Sequence, residues 1–326
     1  MTQLSLPRRL ALAGTAAVAG AIATAGSAQA AVPALREYRA VKTRDAKPIG
    51  LALYRKRIGN GILPVLFLVH GSSTSGLTSH DLSVPGAGEY SLMNVFASYG
   101  FDVWTMDHEG YGKSDRTEGN SDIASGVEDL KAAMAVVTRE TGQKQAHFIG
   151  ESSGALRAGA FAMVAPASVG RMVLVAHTYT GKGSPTLAKR AENLAYFQTH
   201  NRRPRDRAMI ESIFTRDKAG TTDPAVPAAI AKMELVHGDT VPTGTYLDMT
   251  SHLPVVDPTK ILAPVLVVRG EFDGIATMAD LLDFFDKLPN GDKQFSVVAG
   301  AAHALATSKV RARFWYVSKT FLQMPL

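Results

Sequence analysis

A mostly parallel, doubly wound α/β sheet is the fold class that this sequence predicts, and three observations carry it. Apolar runs such as residues 64–69 and 169–176 lack polar alternation, as expected of strands buried on both faces. They alternate with helix-length segments, the pattern of right-handed strand–helix–strand crossovers. One apolar run, Ala146-His147-Phe148-Ile149, leads into Gly150-Glu151-Ser152-Ser153-Gly154 and then a helix-forming stretch. Strand, glycine-flanked serine, helix is the context in which a serine is presented as a nucleophile at a sharp turn.

The first thirty residues read as an export signal. Arg8-Arg9 give a basic start, residues 10–26 carry no charge, and Ala28-Gln29-Ala30 is an A-x-A cleavage site. A membrane span needs about 20 strongly apolar residues, whereas this run is rich in Ala and Gly and ends at a processing signal. The expectation is cleavage near Ala30, a periplasmic or extracellular location and no stable membrane insertion afterwards. The paired arginines permit the twin-arginine route, although Leu6-Pro7 is not its usual flank.

The remaining 326 − 30 = 296 residues suit one large α/β domain. Without Arg8 and Arg9 the balance is 35 − 2 = 33 basic against 29 acidic residues, about +4, and the basic ones are scattered. Only Arg202-Arg203-Pro204-Arg205-Asp206-Arg207 clusters, which reads as a solvated face and not as a nucleic-acid site. With no cysteine, disulfides, thiolate catalysis and Cys-type zinc sites are excluded. Stability must come from the core, and 46% apolar residues can supply one.

Residues 36–41 and 49–57 read as an antiparallel pair turned at Arg44-Asp45-Ala46-Lys47-Pro48. The strand over 64–69 ends in the small polar loop His70-Gly71-Ser72-Ser73-Thr74-Ser75-Gly76. A helix over 89–99, a strand over 101–106, a turn-rich loop from Asp107 to Asp115 and a helix over 122–141 follow. After the serine turn come a helix over 155–163 and strands over 169–176 and 264–269. The chain finishes with a helix over 277–288, a strand over 294–298 and a helix over 303–322. Between 178 and 263, 86 residues contain no buried strand, only amphipathic stretches at 185–200, 205–217 and 223–236. A structureless loop of that length is rare in a compact domain, so residues 178–263 are expected to form a helical insert in a core of 31–177 and 264–326.

A serine hydroxyl needs a base in reach and an acid to orient that base. The loops after the last two strands supply Gly270-Glu271-Phe272-Asp273-Gly274 and Ala299-Gly300-Ala301-Ala302-His303-Ala304. Ser152, Asp273 and His303 thus follow in the order nucleophile, acid, base. Rival acids are Glu271 and Asp257, and the rival histidine at a strand end is His177. His70 reads as a loop-orienting residue. No H-E-x-x-H or carboxylate-rich loop suggests a metal, and none of this chemistry calls for a cofactor.

With these motifs assembled, residues 36–326 resemble the α/β-hydrolase superfamily, in its capped serine esterase and lysophospholipase-like branch. The loop from Asp107 to Ser114 is similar to that branch's D-x-R-G-x-G-x-S, with Glu109 in place of the arginine. The resemblance implies that His303 takes the Ser152 proton, that Asp273 holds the imidazole, and that an acyl-enzyme forms and is hydrolysed. It assigns the oxyanion hole to the backbone N–H groups of Ser72 and Ser153. It also makes the insert a cap, whose aromatic residues suit a moderately hydrophobic small-molecule ester. Expected substrate contacts are Gly71, Ser73, Glu151, His177, Tyr179, Tyr246 and Ile275, and Glu151 is a candidate ion-pair partner of Arg157. Lactone, amide or carbon–carbon hydrolysis with the same residues, and a non-catalytic member of the fold, are the competing readings.

Overall fold

A computed structural model describes residues 32–325, so the expected export signal lies outside the described residues. Strands β1 (Arg36–Arg44) and β2 (Lys47–Lys56) form a hairpin whose turn residues Asp45 and Ala46 both take positive φ, as the twist of a tight hairpin demands. Six more strands complete the sheet: β3 (Val65–Val69), β4 (Asp102–Met106), β5 (Ala146–Glu151), β6 (Val169–Val175), β7 (Val265–Gly270) and β8 (Lys293–Val298). Their spatial order is β1-β2-β4-β3-β5-β6-β7-β8, antiparallel through β2 and parallel from β4 onward.

The absence of alternation in the apolar runs now has its cause. Phe67, Trp104, Phe148, Leu174 and Val267 pack on one face, beneath the helices Ile123–Thr141 and Ser153–Val164. Leu66, Leu68, Val103, Val173 and Val268 pack on the other, with the helices Leu92–Ser98 and Arg311–Leu322. From β3 the chain goes to β4 on one side and from the adjacent β5 to β6 on the other, so these two connections leave in opposite directions, and the crevice outside the C-terminal ends of β3 and β5 is where such sheets bind ligands.

Three expectations need correction. Residues 89–99 are a two-residue strand, Glu89–Tyr90, and then the helix Leu92–Ser98, because the Ser91 hydroxyl accepts the Asn94 N–H and starts the helix late. The terminal helix runs Arg311–Leu322, not from 303. Residues between are pinned by burial of Leu305 and Ala306 and by the Lys309 N–H donating to Thr221 O, and form only a 3₁₀ turn, Leu305–Thr307, before the helix. The cluster at 202–207 is solvated only in part: Pro204, Asp206 and Arg207 are exposed, whereas Arg205 is buried in a 2.5 Å ion pair with Glu234, and Arg202 donates to the Thr240 side chain and carbonyl.

Between β6 and β7 lie five helices, Pro185–Ala191, Leu194–Thr199, Arg207–Thr215, Ala225–Glu234 and Gly244–Ser251, with a ribbon pairing Arg202–Pro204 and Thr240–Pro242. The stretch at 185–200 is two helices, and Gly244–Ser251 was not foreseen. This insert packs on the sheet-bearing part through Ile210, Phe214, Val226 and Ile230 against Leu82, Val84 and Tyr90. Glu234 fastens it to the loop after β3 by accepting the Ser75 N–H and hydroxyl.

Candidate active site

Strand β5 ends at Glu151, and Ser152 turns the chain with φ 58° and ψ −125°, a strained conformation for a residue with a side chain. The helix Ser153–Val164 begins at once. A turn this tight leaves no room beside it: a Cβ on Gly150 would lie 2.7 Å from Ala155 Cα, and one on Gly154 would strike the Val69 and His70 carbonyls. The Ser152 N–H donates to Val175 O at 2.8 Å, which ties the turn to β6.

His303 reaches the turn from the loop after β8. Its Nε2 lies 3.0 Å from Ser152 Oγ, and its Nδ1 lies 2.9 Å from Asp273 Oδ1. The same Asp273 oxygen accepts the N–H groups of Ile275 (2.8 Å) and Ala276 (3.1 Å). Burial pushes the Asp273 carboxyl up, but His303 and those two amides outweigh it and hold the group below its ordinary range. The rivals lie elsewhere. Asp257 is exposed beside Lys260, Glu271 accepts the Gly300 N–H, and His177 is buried against Phe284.

The loop after β3 is clamped from several sides. Burial and the neighbouring His108 push His70 well below its ordinary value, so it is neutral; its Nδ1 bonds Gly71 O at 2.8 Å and its Nε2 accepts the His108 N–H at 3.1 Å. The Tyr111 hydroxyl donates to Ser72 O, and the Ser72 and Ser153 hydroxyls share a 2.7 Å hydrogen bond that joins this loop to the serine turn. No acceptor for the Ser72 or Ser153 backbone N–H occurs among the described residues, and Ser153 stands at the positive end of its helix. Beneath, Asp107 accepts the Gly76 and Lys113 N–H groups and the Tyr54 hydroxyl. Glu109, the departure from the esterase loop, is buried and pairs with buried Lys42 and with the partly exposed Arg44, and it lines neither of the two cavities beside Ser152.

Gly71, Ser73, Glu151, Ser152 and His303 line a cavity of about 100 Å³, and the insert closes it with Arg190, Ile213, Phe214, Arg216 and Ile230. A larger cavity of about 450 Å³ adjoins it through the shared residues Ser73, Arg190, Ile213 and Arg216, with Tyr246 and Arg203 on its wall. Tyr246 touches the inner site only by the 2.9 Å hydrogen bond between its hydroxyl and that of Ser73. Three expected contacts line neither cavity. His177 and Tyr179 pack on Phe284, and Ile275 is fully buried in the main core. The insert residues Arg190, Ile213 and Phe214 were missed by sequence reasoning. The amphipathic pattern over 205–217 marks Ile213 and Phe214 as inward-facing, but nothing in it says what they face.

Glu151 makes no ion pair with Arg157, whose guanidinium donates to Ser121 and stacks on Tyr111. Burial pushes Glu151 up to about 7, against the pull of His303 and of the Ala306 and Leu305 N–H groups. Asp217, Asp273 and His303 are the only group of three potential metal ligands among the described residues. Asp217 pairs with Arg216 at 2.8 Å, and Asp273 Oδ1 with His303 Nδ1 at 2.9 Å.

The strand order and the serine turn define an α/β-hydrolase. A family model described as serine aminopeptidase, S33, matches residues 84–309, and the chain belongs to that family. A 2-hydroxy-6-oxononadienedioate/2-hydroxy-6-oxononatrienedioate hydrolase of Burkholderia vietnamiensis is 28% identical over 240 residues, 70% of this chain and 77% of that protein. Among solved structures, a thermophilic esterase from Thermogutta terrifontis superposes with a TM-score of 0.66 at 20% identity, covering 88% of this chain and 98% of the other. The enol-lactonase from Burkholderia xenovorans gives 0.61 at 22%, covering 85% and 97%. At these identities the two structures speak for the fold alone.

Proposed function

We propose that this protein is a serine hydrolase of carboxylic esters. Ser152 Oγ attacks the ester carbonyl as its proton passes to His303 Nε2, with Asp273 holding the imidazole in the required tautomer. The tetrahedral oxyanion is received by the Ser72 and Ser153 N–H groups, each worth about 3 kcal/mol to the transition state. Collapse expels the alcohol with the proton from His303, and water attacking the acyl-enzyme by the same route releases the acid. Residues 178–263 serve as the cap over the site.

The observation that carries this reading is the continuous chain of contacts, 3.0 Å from Ser152 to His303 and 2.9 Å on to Asp273, beside two unengaged amides. A fluorophosphonate should add its mass at Ser152 and leave Ser152→Ala unmodified; no labelling of the wild-type chain would mark a non-catalytic member of the fold. A p-nitrophenyl ester chain-length series then tests the ester. The curated relative named for an oxononadienedioate favours a second reading, hydrolysis of a carbon–carbon bond beside a carbonyl with the same three residues. Labelling without hydrolysis of any ester, but with consumption of a 2-hydroxy-6-oxo-dienoate, would decide for it. We further propose export with cleavage near Ala30, which N-terminal sequencing of the secreted protein tests.

A further inference from the structure

Acyl transfer does not account for the charge in the larger cavity. Four cations, Lys189, Arg190, Arg203 and Arg216, line it against one carboxylate, Asp217. Cations around it are neutralised: Lys189 pairs with Glu192, Arg216 with Asp217 and Arg205 with Glu234. Arg190 and Arg203 have no such partner among the described residues. Each instead sits over the Tyr246 ring, with Cζ 5.1 and 5.0 Å from its centroid. Stacking holds a guanidinium plane by its charge but uses none of its N–H donors, which stay available for bidentate recognition. Arg190 Nη1 is buried with no hydrogen-bond acceptor, a cost that persists unless something fills the cavity. Burial pulls Arg190 down to about 10, so it is still a cation at neutral pH.

Arg190 lines the nucleophile cavity as well as the larger one, so its charge faces whatever is attached to the carbonyl at Ser152. Because Asp217 shares the wall, a singly charged group is better tolerated than a doubly charged phosphate. We propose that Arg190 and Arg203 bind a carboxylate borne by the substrate, so that the enzyme selects acid-bearing acyl compounds, such as monoesters of dicarboxylic acids, over uncharged ones. The inference rests on the reading of Ser152 as the nucleophile of this site.

Two measurements on the full chain test it. The first compares kcat/KM for mono-4-nitrophenyl adipate and 4-nitrophenyl hexanoate, which differ in the terminal carboxylate. The acid should be preferred by at least about tenfold, the worth of one charge-assisted hydrogen-bonded contact, with the preference fading as salt is raised. Arg190→Gln and Arg203→Gln should each reduce this ratio of acid to uncharged ester. The second is calorimetric titration of Ser152→Ala with monomethyl adipate, expected to bind and to lose affinity in Arg190→Gln. Equal rates for the two esters, or a preference that survives both arginine variants, would overturn the proposal. If the uncharged ester is not cleaved and Ser152 is not labelled, the ester reading fails by itself, and the titration still reports on the two arginines.

Discussion

The wall of the inner cavity has two sides, and they are finished differently. On the sheet side the loops carrying Ser72, Ser152 and His303 are fixed by hydrogen bonds from His70, Tyr111, Ser153 and Asp273. On the insert side Arg190 and Arg203 stack on Tyr246 with no ionic partner among the described residues, and Arg190 Nη1 is buried without an acceptor. Loops held in place by hydrogen bonds before substrate arrives are preorganised, and what they do to a carbonyl is the same for every substrate. Guanidinium groups without an acceptor gain only when the right ligand comes. The difference separates chemistry from choice, and it predicts that substitutions on the sheet side change kcat while those on the insert side change discrimination.

The largest effect belongs to the sheet side. Ser152→Ala should lower kcat by about 10⁶, and Asp273→Asn, which favours the wrong tautomer of His303, by about 10⁴, both with little change in melting temperature. An insert variant such as Ile213→Ala with a comparable loss in kcat would erase the distinction.

The same division explains what could be read in advance. Ser152, Asp273 and His303 stand out because a sharp turn needs glycines at fixed offsets and because strand ends are marked by apolar runs. Their roles depend on local backbone geometry, which is written locally. Arg190 and Arg203 sit 38 and 51 residues past Ser152 in helical and ribbon segments, and only the folded insert brings both to Tyr246. The cluster at 202–207 looked like surface because charge is usually solvated, and Asp206 and Arg207 are exposed, yet Arg205, Arg202 and Arg203 go to a buried pair, a ribbon contact and a cavity wall. Glu109 is similar. Its motif position could be recognised, but its partners Lys42 and Arg44 come from β1, more than sixty residues away.

That ion cluster gives the next effect in size. Lys42 is buried between Glu109 at 2.6 Å and Asp129 at 2.7 Å. Lys42→Met leaves two carboxylates facing each other without it and should cost about 3–5 kcal/mol of stability, read as a lowered urea midpoint. Since Glu109 lines neither cavity beside Ser152, kcat of the protein that remains folded should hold. A loss of kcat at unchanged stability would make the cluster part of the chemistry. On the insert side, Ile213→Ala removes apolar wall from both cavities and should raise KM for longer esters by about tenfold with kcat kept.

The smallest effect tests a sheet-side carboxyl that burial brings near neutrality. Glu151 is held at about 7 in the folded chain against an ordinary 4.5. Below pH 4.5 it is protonated whether the chain is folded or not. Between 4.5 and 7 the unfolded chain loses this proton while the folded one keeps it, so stability is shed across that window and stays level above it. Glu151→Gln is spared the loss, and its melting temperature should gain on the wild type as pH rises from 4.5 to 7. The rate should respond as well. Ionisation of Glu151 places a negative charge beside the oxyanion formed at Ser152, so wild-type kcat/KM should bend downward by a few-fold above pH 7, and Glu151→Gln should not. Parallel pH profiles for the two proteins would remove Glu151 from the chemistry.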